Sequence, residues 1–150
     1  VEPGAVRNAD GWFRLMVETD LAPGLRALGL SGSDRHYRMV TDTHRAEISI
    51  VQAPARPDTT RFTLSLGVTP TDEWTAQRRI RPYLAHSQPG WRVPIGQVVL
   101  VGSGVPIGDL WWQVRAGRPF GSISQEILNL VKEFALPAMQ AQIRARTTGG

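Results

Sequence analysis

Residues 61–68, RFTLSLGV, alternate strictly: Phe62, Leu64, Leu66 and Val68 fall on one side of an extended chain, Arg61, Thr63, Ser65 and Gly67 on the other. Successive side chains of a strand point to opposite faces, whereas one face of a helix repeats every 3.6 residues, so a period of two specifies a strand. The alternation is already present upstream, in HYRMVTDTHRAEISIVQ. Tyr37, Met39 and Thr41 alternate with His36, Arg38 and Val40; after a turn, Ile48, Ile50 and Gln52 alternate with Glu47, Ser49 and Val51. Asp42 and Thr43 read as a hairpin tip, and APARPD, residues 53–58, as a proline-marked loop. The pattern calls for an antiparallel sheet, oily on one face and wet on the other.

Helical spacing brackets this region. Trp12, Leu15, Met16, Leu21, Leu25 and Leu28 recur as one face of a helix, with Asp10 as N-cap, Gly29 as stop, and Pro23 and Gly24 predicting a kink or two short pieces. TPTDEWTAQRRIRP places Asp72 and Glu73 before Arg78, Arg79 and Arg81, the charge order that suits a short helix's dipole, and Pro82 ends it. An anion-binding patch is the sharper reading of those arginines. Ser122 and Gln125 have capping-box spacing ahead of Ile123, Ile127, Leu130, Val131 and Phe134, and Pro137 opens a further short helix through Ile143. Two more strands are expected around 96–101 and 109–114. The expected fold is α+β: an antiparallel sheet of about five strands with N-terminal and C-terminal helices packed on one face. Residues 1–150 are expected to form one domain, ordered over roughly 10–143, with flexible tails at 1–9 and 144–150.

The stretch DLWWQVRAG sets Trp111 beside Trp112, which a strand must point in opposite directions. If Leu110 and Val114 face inward, Trp112 joins the core and Trp111 stands with Gln113 on the other face.

Several short words occur in an order that resembles a bacterial family known as domain of unknown function 4304. They are Gly29-Leu30, ISIVQ ending at Gln52, FTLSLG ending at Gly67, Arg92 with Ile95-Gly96, the Trp111-Trp112 pair and Leu136-Pro137. The resemblance spans roughly residues 12–143. Leu30 departs from it where an aromatic is expected, as does Pro94 between Arg92 and Ile95. It implies the same α+β architecture and brings no activity, cofactor or catalytic residue.

Composition narrows the chemistry. With no cysteine there is no disulfide or thiolate site, and a reduced cytoplasmic setting is the simplest expectation. The opening residues VEPGAVRNADGW lack the features of a signal peptide, although a chain starting at Val1 is compatible with removal of an upstream segment. The apolar runs are too short to span a membrane, so no membrane partner is expected and the chain reads as soluble. The net charge of +4 comes from sixteen arginines and the single Lys132, scattered along the chain apart from QRRIR. With no basic stripe evident, nucleic acid is not the expected partner.

No residue set amounts to a reaction. His44 near Asp42 lacks a nucleophile, His36 and His86 have no zinc-helix spacing with it, and LVGSGVPIG, residues 100–108, lacks the ending of a phosphate loop; no metal or cofactor is expected. Two functional readings remain. The first is a non-enzymatic protein-binding module, of which toxin-neutralising immunity proteins are one instance. It would use Gln52, Trp74, Trp91, Arg92, Trp111 and Arg115, because aromatic and arginine side chains form interface centres. The second is a small-molecule-binding protein or enzyme with a pocket between sheet and helices, lined by Gln52, Tyr37, His36 and Trp112. Self-association through a strand edge is a third use of the same architecture.

Overall fold

The computed structural model describes residues 8–54, 56–84, 90–102 and 104–148, with 146–148 described as backbone alone. His86 lies outside the described residues. Helix α1 (Ala9–Met16) is capped by Asn8, whose side chain accepts the Gly11 N–H at 3.0 Å. The cap is therefore two residues earlier than Asp10. Asn and Asp cap about equally well, and the earlier start buries Ala9 completely. Asp10 sits instead in the first turn, where its charge suits the dipole and it pairs with Arg14 at 3.1 Å.

The interruption expected around Pro23 and Gly24, a kink or two short pieces, takes the form of two short α-helical pieces joined by a widened turn. A π-helical segment (Val17–Leu21) joins α1 to α2 (Ala22–Ala27), with the Ala22 N–H reaching back five residues to the Val17 carbonyl. Proline has no N–H, and its ring collides with the carbonyl four residues earlier in an α-helix; widening the turn relieves that clash. Gly29, at φ 102°, closes α2 as foreseen. Its N–H meets the Arg26 carbonyl and the Leu30 N–H meets that of Leu25, which is a Schellman stop.

Strands β1 (Ser31–Ser33), β2 (His36–Val40), β3 (His44–Gln52) and β4 (Thr59–Pro70) follow, each antiparallel to the last. The hairpin tip is at Asp42-Thr43, with the Thr41 N–H bonded to the His44 carbonyl at 2.8 Å. After α3 (Thr71–Ile80), β5 (Trp91–Pro94) pairs with the later part of β4. The chain then makes a 3-10 turn (Ile95–Gln97) and a small hairpin, β6 (Leu100–Val101) with β7 (Val105–Pro106), before β8 (Trp112–Arg115) pairs with the earlier part of β4. The main sheet has six strands: β1-β2-β3-β4 in order, with β5 and β8 end to end along the far edge of β4.

Residues 96–101, expected in the main sheet, lie in the excursion between β5 and β8, and the sheet takes Trp91–Pro94 instead. Glycine makes that excursion possible. A Cβ on Gly96 would lie 1.6 Å from the Gly108 carbonyl oxygen, and the Gly108 N–H bonds the Gly96 carbonyl at 3.0 Å.

The C-terminal helices repeat the proline device. Helix α4 (Gly121–Leu130) passes through a π segment (Val131–Ala135) into α5 (Leu136–Thr148), with Pro137 two residues past the widened turn. The capping box is not formed. Phe120 holds the cap position without a side-chain bond, Ser124 Oγ returns to the Phe120 carbonyl, and Gln125 bonds Asn129. The helix begins one residue before Ser122, which puts that hydroxyl inside the first turn. Helix α5 continues past Ile143 to Thr148.

One core joins these layers. Phe62, Leu64, Leu66 and Val68 of β4 and Ala46, Ile48 and Ile50 of β3 pack against Phe13, Met16, Leu21, Ile127, Val131 and Met139 from the helices. The side chains named from β4 are at most 1% exposed, so each apolar member of the alternation found in the sequence is dry. Burial of a large apolar side chain is worth about 1.5–3 kcal/mol, which makes this stripe the main source of cohesion. Among the described residues no helix is long and apolar enough to cross a membrane.

Gly96→Ala is expected to lower stability to urea by about 3 kcal/mol or more, because backbone rather than a movable side chain fills the Cβ position. A loss below 0.5 kcal/mol would show that the contact between Gly96 and Gly108 is not fixed.

Candidate functional site

The register divides the sheet's side chains into two sets. Opposite Phe62 stands Trp112, opposite Val68 stands Trp91, and opposite Leu66 stands Val93, all on the helix-covered face. The intervening positions form the outer face. Arg38 lies across from Glu47, Glu47 from Gly67 and Gly67 from Arg92, one row crossing four strands. Arg45 lies across from Thr69, Arg61 from Gln113, and Thr59 from Arg115. Each of β2, β3, β4, β5 and β8 thus gives the outer face an arginine, against the one glutamate Glu47 at these strand positions. Arg38, Arg61, Arg92 and Arg115 are exposed.

The paired tryptophans separate as the alternation requires. Trp112 is buried against Phe62, ring centroids 5.9 Å apart, and donates its indole N–H to Glu126 on α4 at 2.7 Å. Trp111 is half-buried, donates to Asp109 at 2.9 Å, and carries the Arg61 guanidinium over its ring at 5.2 Å. A second arginine–tryptophan cluster stands where α3 leans on the outer face. Trp74 has the guanidinium of Arg45 at 4.5 Å and that of Arg78 at 5.5 Å from its ring centre. Arg45 also pairs with Glu47, and both side chains are nearly buried beneath the helix. A cation over an indole face gains about 0.5–2 kcal/mol, more as water is excluded. Beyond Trp74, α3 ends in the exposed Ile80 (81%), with Tyr83 (99%) following.

Of the interface residues expected from sequence, Trp74, Trp111, Arg92 and Arg115 share this outer side. Trp91 does not: it lies in β5 opposite Val68, and its ring packs against the core. Gln52 is half-buried and donates its amide to Asp10 at 3.0 Å, tying the end of β3 to the first turn of α1. Arg38, Arg45 and Arg61 were missed as site residues, although the alternation already placed Arg38 and Arg61 on the wet face.

The expected pocket residues do not converge. Tyr37 is buried and donates its hydroxyl to the Asp34 carbonyl at 3.0 Å; Trp112 and Gln52 are engaged as above. His36 points outward, its Nδ1 3.3 Å from Ser49 Oγ. The crevice bordered by His36 and Tyr37 has a volume of about 10 Å³, barely one water. His44 contacts the Thr43 hydroxyl at 2.7 Å rather than Asp42. A roomier cleft of about 530 Å³ opens elsewhere, between the first helices and the β1–β2 turn, over Phe13, Val17 and Ala22 and rimmed by Arg26, Asp34 and Arg35. Asp34 adopts φ 57° there, a left-handed turn that Tyr37 and Arg26 brace through bonds to the Asp34 and Gly32 carbonyls. Among the described residues no three His, Asp or Glu side chains gather as a metal site.

Comparison of the chain with protein-family models, curated proteins and solved structures found no match.

Burial pushes the Tyr37 phenol above its ordinary pKa of 10.0; Asp34 adds to the shift and Arg26 opposes it. A raised folded-state pKa means that the stability Tyr37 contributes is complete below pH 10 and is lost as pH climbs past it, because only the unfolded chain then releases the proton. Tyr37→Phe should cost about 1 kcal/mol at neutral pH through the lost hydrogen bond and make the alkaline decline in thermal midpoint shallower. An unchanged alkaline slope would contradict this role.

Proposed function

We propose that this chain is a non-enzymatic protein-binding module that docks its partner on the outer face of the sheet, around the Trp111–Arg61 stack and the Trp74–Arg45–Arg78 cluster. One observation carries the reading: five strands place an arginine on the face opposite the helices, and tryptophans bound by those arginines stand at its margins. Tryptophan and arginine are the side chains that most often dominate binding energy, especially where neighbouring groups keep water from them. Ile80 and Tyr83 extend the surface with apolar area beside Arg78. The resemblance of its short sequence words to the domain of unknown function 4304 family belongs to this proposal and brings no activity to it. The cytoplasm, reduced and disulfide-free, is the compartment proposed for a cysteine-free module of this kind.

The 530 Å³ cleft favours a second reading, a small-molecule site, because it combines an apolar floor with charged rim groups on a braced turn. Its residues differ from the pocket expected from sequence. A metabolite at about a hundred times its dissociation constant would add roughly 2.7 kcal/mol of stability, visible as a thermal shift abolished by Arg35→Ala.

A photo-crosslinking amino acid in place of Gln113, on the outer face, should capture a discrete protein from cells of the source organism, whereas the same group in place of Lys132 on the helix layer should not. Trp111→Ala should weaken the purified complex at least tenfold, about 1.4 kcal/mol. Equal capture from both positions, or a complex indifferent to Trp111→Ala, would contradict docking on this face.

A further inference from the structure

We infer that the partner seated on the outer face presents a run of carboxylates: an acidic protein segment. The inference rests on the docking face just proposed and adds the partner's chemistry. Its basis is the charge left over on that face. The described ion pairs Arg14–Asp10 and Arg45–Glu47 do not engage Arg61, Arg92 or Arg115. Those three guanidinium groups are exposed and belong to three different strands. They are far apart in sequence and brought together only by pairing. Their layout sets a length. Arg92 and Arg115 oppose Gly67 and Thr59 of β4, eight residues apart, which at about 3.3 Å per residue is roughly 26 Å. Arg38 and Arg92 lie three strand spacings apart, roughly 14 Å. A single small anion engages one corner of such a face. An extended acidic segment of about eight residues reaches along its edge, and each carboxylate can accept two N–H bonds from one guanidinium fork.

The aromatic rings favour acidic protein over single-stranded RNA. Sequence-tolerant RNA binding stacks bases on open aromatic faces. Here Arg61 covers a face of Trp111, Arg45 and Arg78 lie against Trp74, and the exposed Tyr83 is a single ring, too few for successive bases. Phe62, Tyr37 and Trp112 are turned into the core. What the outer strand positions offer a partner is guanidinium.

The test is fluorescence anisotropy with fluorescein-labelled glutamate peptides of four and twelve residues and labelled oligouridine of twelve nucleotides. The twelve-residue peptide should bind at least tenfold more tightly than the four-residue one, and more tightly than the oligouridine. Arg92→Glu/Arg115→Glu should weaken it at least tenfold, and the milder Arg92→Gln/Arg115→Gln several-fold, with thermal midpoints confirming which variants are folded. Arg14→Glu/Lys132→Glu makes the same change in net charge on the helix layer and should leave affinity within threefold. Equal losses in the two charge-reversed variants would overturn the inference, because binding would then follow net charge and not the layout of the face. Tighter binding of oligouridine would overturn it in favour of nucleic acid. A protein captured through Gln113 and dependent on Trp111, yet indifferent to Arg92→Glu/Arg115→Glu, would sink the acidic partner and leave the docking face standing.

Discussion

Strand β4 must keep one face dry while neighbours bond to both of its edges, and the other elements are arranged to satisfy that demand. Phe62, Leu64, Leu66 and Val68 need a lid, which the two helical runs supply. Its long edge needs hydrogen-bond partners over twelve residues, more than one short strand can give. β3 covers one edge; β5 and β8 divide the other, and the Thr63 hydroxyl bonds the Leu110 carbonyl at 2.6 Å in the interval between them.

The helices meet the same demand with a shared device. Each reaches a proline that an unbroken α-helix would not accommodate, and each widens to a π turn just before it. The runs therefore stay continuous and keep an apolar stripe on the sheet. They also pack closely on one another: a Cβ on Gly24 would meet Leu128 at 2.4 Å. With both helical runs on the inner face, the outer face is left to α3, to the tryptophan–arginine clusters and to the arginines of five strands.

The two-sided sheet was legible because period two is a local property. It assigned the sides of Tyr37, Ile48, Phe62 and Trp112 without knowledge of which strands are neighbours. What was not legible depended on pairing. Arg38, Arg61, Arg92 and Arg115 are scattered in sequence, and only the register gathers them on one surface; hence the absence of a basic stripe in the sequence did not mean its absence in the fold. Trp91 was misread because a four-residue strand beside Pro94 carries too little alternation to stand out. The strand expected at 96–101 failed for the opposite reason: its apolar residues serve a 3-10 turn and a hairpin whose shape depends on Gly96 meeting Gly108. Asp10, Ser122 and Gln125 show that capping signals specify a helix start only to within a residue or two, since tertiary burial, as of Ala9, selects among adjacent competent caps.

Amide hydrogen exchange of the intact chain reads the central claim directly. If the dry face of β4 holds the layers together, the bonded amides within 46–50 and 62–68 should exchange last, and only through global unfolding, long after those of the β6–β7 hairpin. Exchange of the β4 amides as fast as those of that hairpin would contradict the account.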